Sequence, residues 1–180
     1  MACEEIEAKY FDWRFLWAQD SITTVADTAV YSAPDGLNIF EPRSFRIDGQ
    51  PLPEMIEYQN RNYTQPQAGK PNAVILRPDG AIELHPVPEQ VYTITFDYYR
   101  QPMVLVNGTD VPYIPERHHK AILGRAMMSY SNFDAMSDVN ARGRLIYDAS
   151  MRELERSQLN NYSQTYGRSN TDDFTIVVGD

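Results

Sequence analysis

All twelve prolines of the chain lie between Pro34 and Pro115. Proline lacks a backbone N–H and clashes with the preceding helical turn, so it is confined to turns, edges and strand ends. Residues 34–115 are therefore expected as strands and loops, while residues 116–159 are free to be helical. This divides the chain into a mostly antiparallel β region over 1–114 with a short N-terminal helix, a helical hairpin over 115–159 and an extended arm over 160–180. The expected fold class is α+β, with a sandwich-like antiparallel β-sheet region ahead of an antiparallel helical hairpin. At 180 residues roughly 70% of the unfolded surface can be buried, enough for a core without staples.

Within the β region, Pro34-Asp35-Gly36 and Pro78-Asp79-Gly80 carry turn chemistry: proline presets φ, and glycine takes positive φ without strain. Ala73 to Arg77 and Ala81 to His85 flank the second turn and read as a hairpin. Val91 to Arg100 alternates Tyr92, Ile94, Phe96 and Tyr98 with Val91, Thr93, Thr95 and Asp97, the pattern of a half-buried strand. Asn107-Gly108 and Pro112 mark the loop that leaves it. Nearer the N-terminus, Glu4 to Phe11 reads as a short helix. Arg14 to Thr24 alternates imperfectly, with Phe15, Trp17, Gln19, Ser21, Thr23 and Val25 on one side. Asp27-Thr28 is expected to turn this strand into Ala29 to Ser32, making another hairpin.

From Pro115 the period changes to that of a helix. Proline suits the first helical position, and Glu116 suits the positive end of the helix dipole. Ile122, Ala126, Tyr130 and Phe133 line one face, with Leu123 and Met127 beside them. Asp134 to Asp138 reads as a break. Val139, Ile146, Ala149 and Leu154 then mark a second helix reaching about Leu159, with Gly143 inside it at a cost of about 1 kcal/mol relative to alanine. Beyond a polar stretch, Phe174, Thr175, Ile176, Val177 and Val178 form a strand-prone segment. It is expected to pair with a neighbouring sheet edge or to fold back as an edge strand of its own sheet.

The net charge is −9, unevenly spread. Residues 1–114 hold 8 basic and 16 acidic side chains, and residues 115–159 hold 7 and 6. A free-standing nucleic-acid binder needs a basic stripe, which is missing. One cysteine, Cys3, excludes an internal disulfide framework and a cysteine-built zinc site. No run approaches the roughly 20 apolar residues of a membrane span, and the acidic start lacks a signal-peptide core, so no secretion is expected. Glu116, His118 and His119 cluster, but adjacent histidines on a helix diverge by about 100° and do not share one ion. Phosphate loops and nucleophile elbows are missing. No catalytic, metal-binding or cofactor-binding residue is therefore assigned. Trp13, Phe15, Trp17 and Tyr98-Tyr99 are read as core or interface aromatics. A small acidic hydrolase using some carboxylate pair stays as the lesser alternative.

Several segments in order resemble the head-to-tail adaptors (head completion or connector proteins) of tailed bacteriophages. They are Asp12-Trp13-Arg14-Phe15-Leu16-Trp17, Ile22-Thr23-Thr24-Val25, Tyr31-Ser32-Ala33-Pro34, Ser44-Phe45-Arg46-Ile47-Asp48-Gly49 and Gly69-Lys70-Pro71. Next come Leu84-His85-Pro86-Val87-Pro88, the strand to Arg100, and Asp110-Val111-Pro112-Tyr113-Ile114-Pro115 before the helix. The layout is similar to that of podophage tail tubular protein A, with a shorter helical start. The resemblance implies a non-enzymatic virion protein of the head–tail neck, assembled in the bacterial host cytoplasm. It implies a homo-oligomeric ring of about a dozen copies, a portal protein on one side and a tail or tail-completion protein on the other. Double-stranded DNA passes its lumen without sequence-specific binding, helped by an acidic wall that repels phosphate. On this resemblance Arg117, His118, His119, Arg125, Arg142 and Arg144 are ring- or portal-facing candidates, and residues 174–178 are the arm that binds a partner. A tail-side structural protein that does not touch the portal is the alternative within the same virion. The resemblance implies no cofactor and no membrane.

Overall fold

The computed structural model describes residues 2–52, 54–60, 67–134 and 136–159. The chain divides into two compact units, Met1–Pro115 and a second that begins at Glu116. The arm expected over 160–180, with Phe174 to Val178, lies outside the described residues.

The first unit opens with helix α1 (Ala2–Glu7) and a 3-10 turn over Arg14–Leu16. α1 stops short of the expected Phe11. The Trp13 indole N–H donates to the Ile6 carbonyl at 3.2 Å and the Lys9 amide reaches the same oxygen at 3.3 Å, which ends the helical ladder. Strands follow as β1 (Trp17–Thr23), β2 (Val30–Tyr31), β3 (Leu37–Phe40), β4 (Arg46–Ile47), β5 (Gln50–Pro51), β6 (Glu54–Glu57), β7 (Ala68–Gly69), β8 (Ala73–Leu76), β9 (Ile82–His85), β10 (Val87–Pro88) and β11 (Thr93–Arg100).

The alternation in β11 gives the unit its centre. One edge of β11 pairs antiparallel with β1, and it also pairs with β3 and with β4, which in turn pairs with β5. A second sheet runs β2-β9-β8-β6, and β7 pairs with β10. Tyr92, Ile94, Phe96 and Tyr98 are all buried, as their spacing predicts. They join Phe40, Phe45 and Ile47 from the first sheet and Val74, Ile82 and Leu84 from the second in one core, a sandwich-like arrangement. The Phe45 and Phe96 rings stack at 5.2 Å, and Phe40 meets Phe96 edge-on at 5.5 Å. Such aromatic pairs add about 1 kcal/mol beyond their area.

The β8–β9 hairpin forms as expected, with Gly80 at φ +83° in its turn. The hairpin expected from β1 into Ala29 to Ser32 does not form. The turn is there: Asp27 sits at φ +62°, and the Tyr31 hydroxyl donates to Thr28 O at 2.7 Å while accepting from Val25 N. Yet β2 pairs with β9 of the second sheet, so this turn carries the chain from one sheet to the other. Two parallel pairs, β6 with β8 and β7 with β10, stand among the antiparallel ones.

The second unit comprises a 3-10 turn over Glu116–His118, then α2 (His119–Asp134) and α3 (Ser137–Gln158). α2 and α3 run antiparallel: Asn140 Nδ2 donates to Ser131 Oγ at one end, and Ser157 Oγ meets His118 Nε2 at the other. The face that packs is not the one expected. Ala121, Gly124 and Ser131 of α2 are buried against Gly143, Met151 and Leu154 of α3, while Leu123 and Tyr130 are exposed. Glycine is the reason. A Cβ on Gly124 would lie 2.6 Å from Tyr147 N, and one on Gly143 would lie 2.9 Å from Met127 Cβ. The backbones meet so closely at this crossing that Gly124 and Gly143 form its point of contact, while Met151 and Leu154 are buried further along α3 and Leu123, Tyr130 and Leu145 face outward.

Candidate functional site

Among the described residues no three His, Cys, Asp or Glu side chains gather as a metal would require. No helix there is long and apolar enough to cross a membrane. Cys3 is buried, and burial followed by the nearby Glu7 charge pushes its thiol pKa up to about 12. A thiol so held is a poor nucleophile at neutral pH. What the fold exposes is surface suited to contact.

The first such surface is the outer face of the β1–β11 sheet. Register sets Trp17 opposite Tyr99, and Tyr99 opposite Ile39 of β3, so the three stand side by side. Phe11 meets the Tyr99 ring edge-on at 6.2 Å. Phe11 is 57% exposed, Trp17 48% and Ile39 44%. Partial burial, then the carboxylates of Glu41, Asp12 and Asp97, raise the Tyr99 pKa, with Arg14 opposing. An aromatic island thus sits in an acidic rim.

The second surface is the solvent face of α3. Gly143, Met151 and Leu154 face α2, so residues at the opposite helical phase face water. Leu145 is 75% exposed there. Arg142, Arg152 and Arg156 are exposed around it and have no ion pair or hydrogen bond among the described residues.

The third is the loop between β11 and the helices. Val104, Val106 and Val111 are exposed on it. Asp110 gives the loop its shape by accepting from Val106 N at 2.8 Å and Asn107 N at 2.7 Å, and those amides lower its pKa.

The residues singled out from sequence are scattered over the second unit. Arg117, Arg142 and Arg144 are exposed, and His119 and Arg125 are half-buried. His118 is buried and engaged within its unit: Arg117 Nε donates to its Nε2 at 2.9 Å, and Ser157 Oγ lies 3.0 Å from the same atom. Its Nδ1 is buried with no hydrogen-bond partner among the described residues. Burial, then the Arg117 charge, lowers its pKa, and Glu153 opposes them. Residues 174–178 lie outside the described residues. Sequence reading missed Arg152, Arg156 and Leu145, although their spacing with Arg142 is a helical stripe visible in the sequence. Of the aromatics read there as core or interface, Trp13 and Tyr98 are core, and Trp17 and Tyr99 stand on the outer face.

Compared with known proteins, the sequence model of the SU10 adaptor protein family matches residues 4–171. No curated protein matches the chain. The family match agrees with the head-to-tail adaptor resemblance but does not extend to tail tubular protein A.

Proposed function

This chain belongs to the SU10 adaptor protein family, whose members are structural components of phage virions, and from that membership we propose a head-to-tail adaptor. Copies form a ring of about a dozen under the portal.

 The ring continues the DNA channel and presents a platform to a tail or tail-completion protein. The observation that carries this reading is the family match over residues 4–171. Support comes from the surfaces described above, which are built for contact. The acidic first unit suits a wall along which DNA slides without adhering, since like charge repels phosphate. Residues 116–159 supply the ring- or portal-facing helices, with Arg117, Arg142 and Arg144 exposed on them. Phe174 to Val178 act as a latch that adds a strand to a partner's sheet edge.

The test is the native mass of the full chain, alone and mixed with its cognate portal, beside a chain ending at Asn160. A portal complex holding about a dozen copies, weakened by the truncation, supports both adaptor and latch. The same complex with the shortened chain keeps the adaptor and removes the latch. Binding to a tail protein but not to the portal at micromolar concentration replaces this reading with a tail-side one.

A further inference from the structure

We infer that the Tyr99-centred face of the β1–β11 sheet on one copy receives the solvent face of α3 from a second copy. The inference rests on the ring reading above and names the surfaces that would build the ring.

Three observations carry it. The sheet face is apolar at its centre, through Phe11, Trp17 and Ile39, and net acidic around Tyr99, through Asp12, Glu41 and Asp97 against Arg14. The α3 face is its complement. Arg142, Leu145, Ala149, Arg152 and Arg156 recur at helical spacing, with an exposed leucine among arginines that lack ion-pair partners among the described residues. Guanidinium groups bind carboxylates through two parallel hydrogen bonds and stack on aromatic faces, so one partner satisfies both halves of the sheet patch.

The same charges decide the symmetry. Two sheet patches meeting face to face would set carboxylates against carboxylates, and two α3 stripes would set arginines against arginines. Both juxtapositions are costly. Patch on stripe is attractive, and because it joins two different surfaces it is heterologous. Such a contact repeats from copy to copy, and it makes the ring when the rotation between copies closes. Asp148 and Glu153, both exposed, border the arginine stripe. That mixed pattern matches a protein surface better than a continuous phosphate backbone.

The test places cysteines on the two surfaces of the full chain, Ile39→Cys with Leu145→Cys, leaving the buried Cys3 in place. The protein is assembled with its portal and oxidised mildly. Disulfide-linked dimers, trimers and longer ladders are expected on denaturing gels. A control pair, Val91→Cys with Leu145→Cys, should give none, although Val91 is 66% exposed. An assembly of unchanged mass without a ladder overturns the inference and leaves the ring reading standing. If the unmodified chain forms no assembly, the ring reading falls and the inference falls with it.

A second variant needs no cross-link. Reversing the stripe with Arg142→Glu, Arg152→Glu and Arg156→Glu should weaken copy–copy association by about tenfold or more. Asp12→Lys with Glu41→Lys in the same chain should restore part of it. Intact assembly with loss only of DNA retention would assign the stripe to phosphate and overturn the inference.

Discussion

Glu7 carries a carboxylate into a place almost closed to water, where it is 1% exposed. It accepts from Met103 N at 2.6 Å and also from the amides of Tyr113 and Ile114. Burial raises its pKa above the usual 4.5, and the amides only partly offset this. A raised folded pKa means stability that is full below the unfolded value and is lost as pH rises through the folded one. The first unit is therefore expected to lose stability as pH climbs from 4.5, and Glu7→Gln should flatten that slope. Glu7→Ala strands buried amides and should cost about 2–4 kcal/mol. Both tryptophans, Trp13 and Trp17, lie in this unit, so their fluorescence during urea unfolding reads the effect. His118 has the opposite sign. Its folded pKa lies below 6.5, so its contribution is full above 6.5 and is lost as pH falls through the folded value. Arg117, Glu153 and Ser157 surround it. Circular dichroism at 222 nm, dominated by α2 and α3, should report weakening below that pH, and His118→Gln should remove the dependence.

At the scale of elements, the α2–α3 crossing is the sharpest test of packing. Gly124→Ala gains about 1 kcal/mol of helix propensity. Its new methyl, however, would lie 2.6 Å from backbone nitrogen and 2.8 Å from the Gly143 carbonyl oxygen. Neither atom moves without moving a helix, so strain wins, with a net loss of about 2 kcal/mol expected. Gly108→Ala, at a loop position with nothing within 4 Å among the described residues, is the unstrained control, and urea midpoints compare the two. This crossing also shows where sequence reading stops. The β8–β9 hairpin and the buried side of β11 were legible, because turn chemistry and alternation are local. The partner of β2 was not, because the Asp27 turn serves a hairpin or a change of sheet equally well. The helix seam was misplaced because apolarity ranks large side chains first, while close approach selects small ones. The arginine stripe on α3 was half legible, through Arg142. The aromatic island needed the pairing of Trp17 with Tyr99, which only the register supplies.

At the scale of the whole molecule, a net charge of −9 sets copies against one another before any contact forms. That repulsion reaches about 30 Å at 0.01 M salt and about 8 Å at 0.15 M. The attraction between patch and stripe acts at contact distance and is screened strongly only near 1 M, where the reach is about 3 Å. Self-association measured by sedimentation equilibrium should therefore strengthen from 0.01 to 0.15 M salt and weaken again towards 1 M. A steady weakening across the whole range would mean that local attraction dominates at every distance.

The pairing of β1 with β11 has a consequence in time. Gln19 and Asp97 bond side chain to side chain across 78 residues. A ribosome adding about 5–20 residues per second takes several seconds to cover that distance. Through that interval β1 has left the exit tunnel without its partner, a strand edge with Trp17 at one end. The β8–β9 hairpin, by contrast, closes almost as soon as it is made. A nascent chain of this protein thus offers its earliest strand to any passing chaperone and completes its sheet only after Arg100 has emerged.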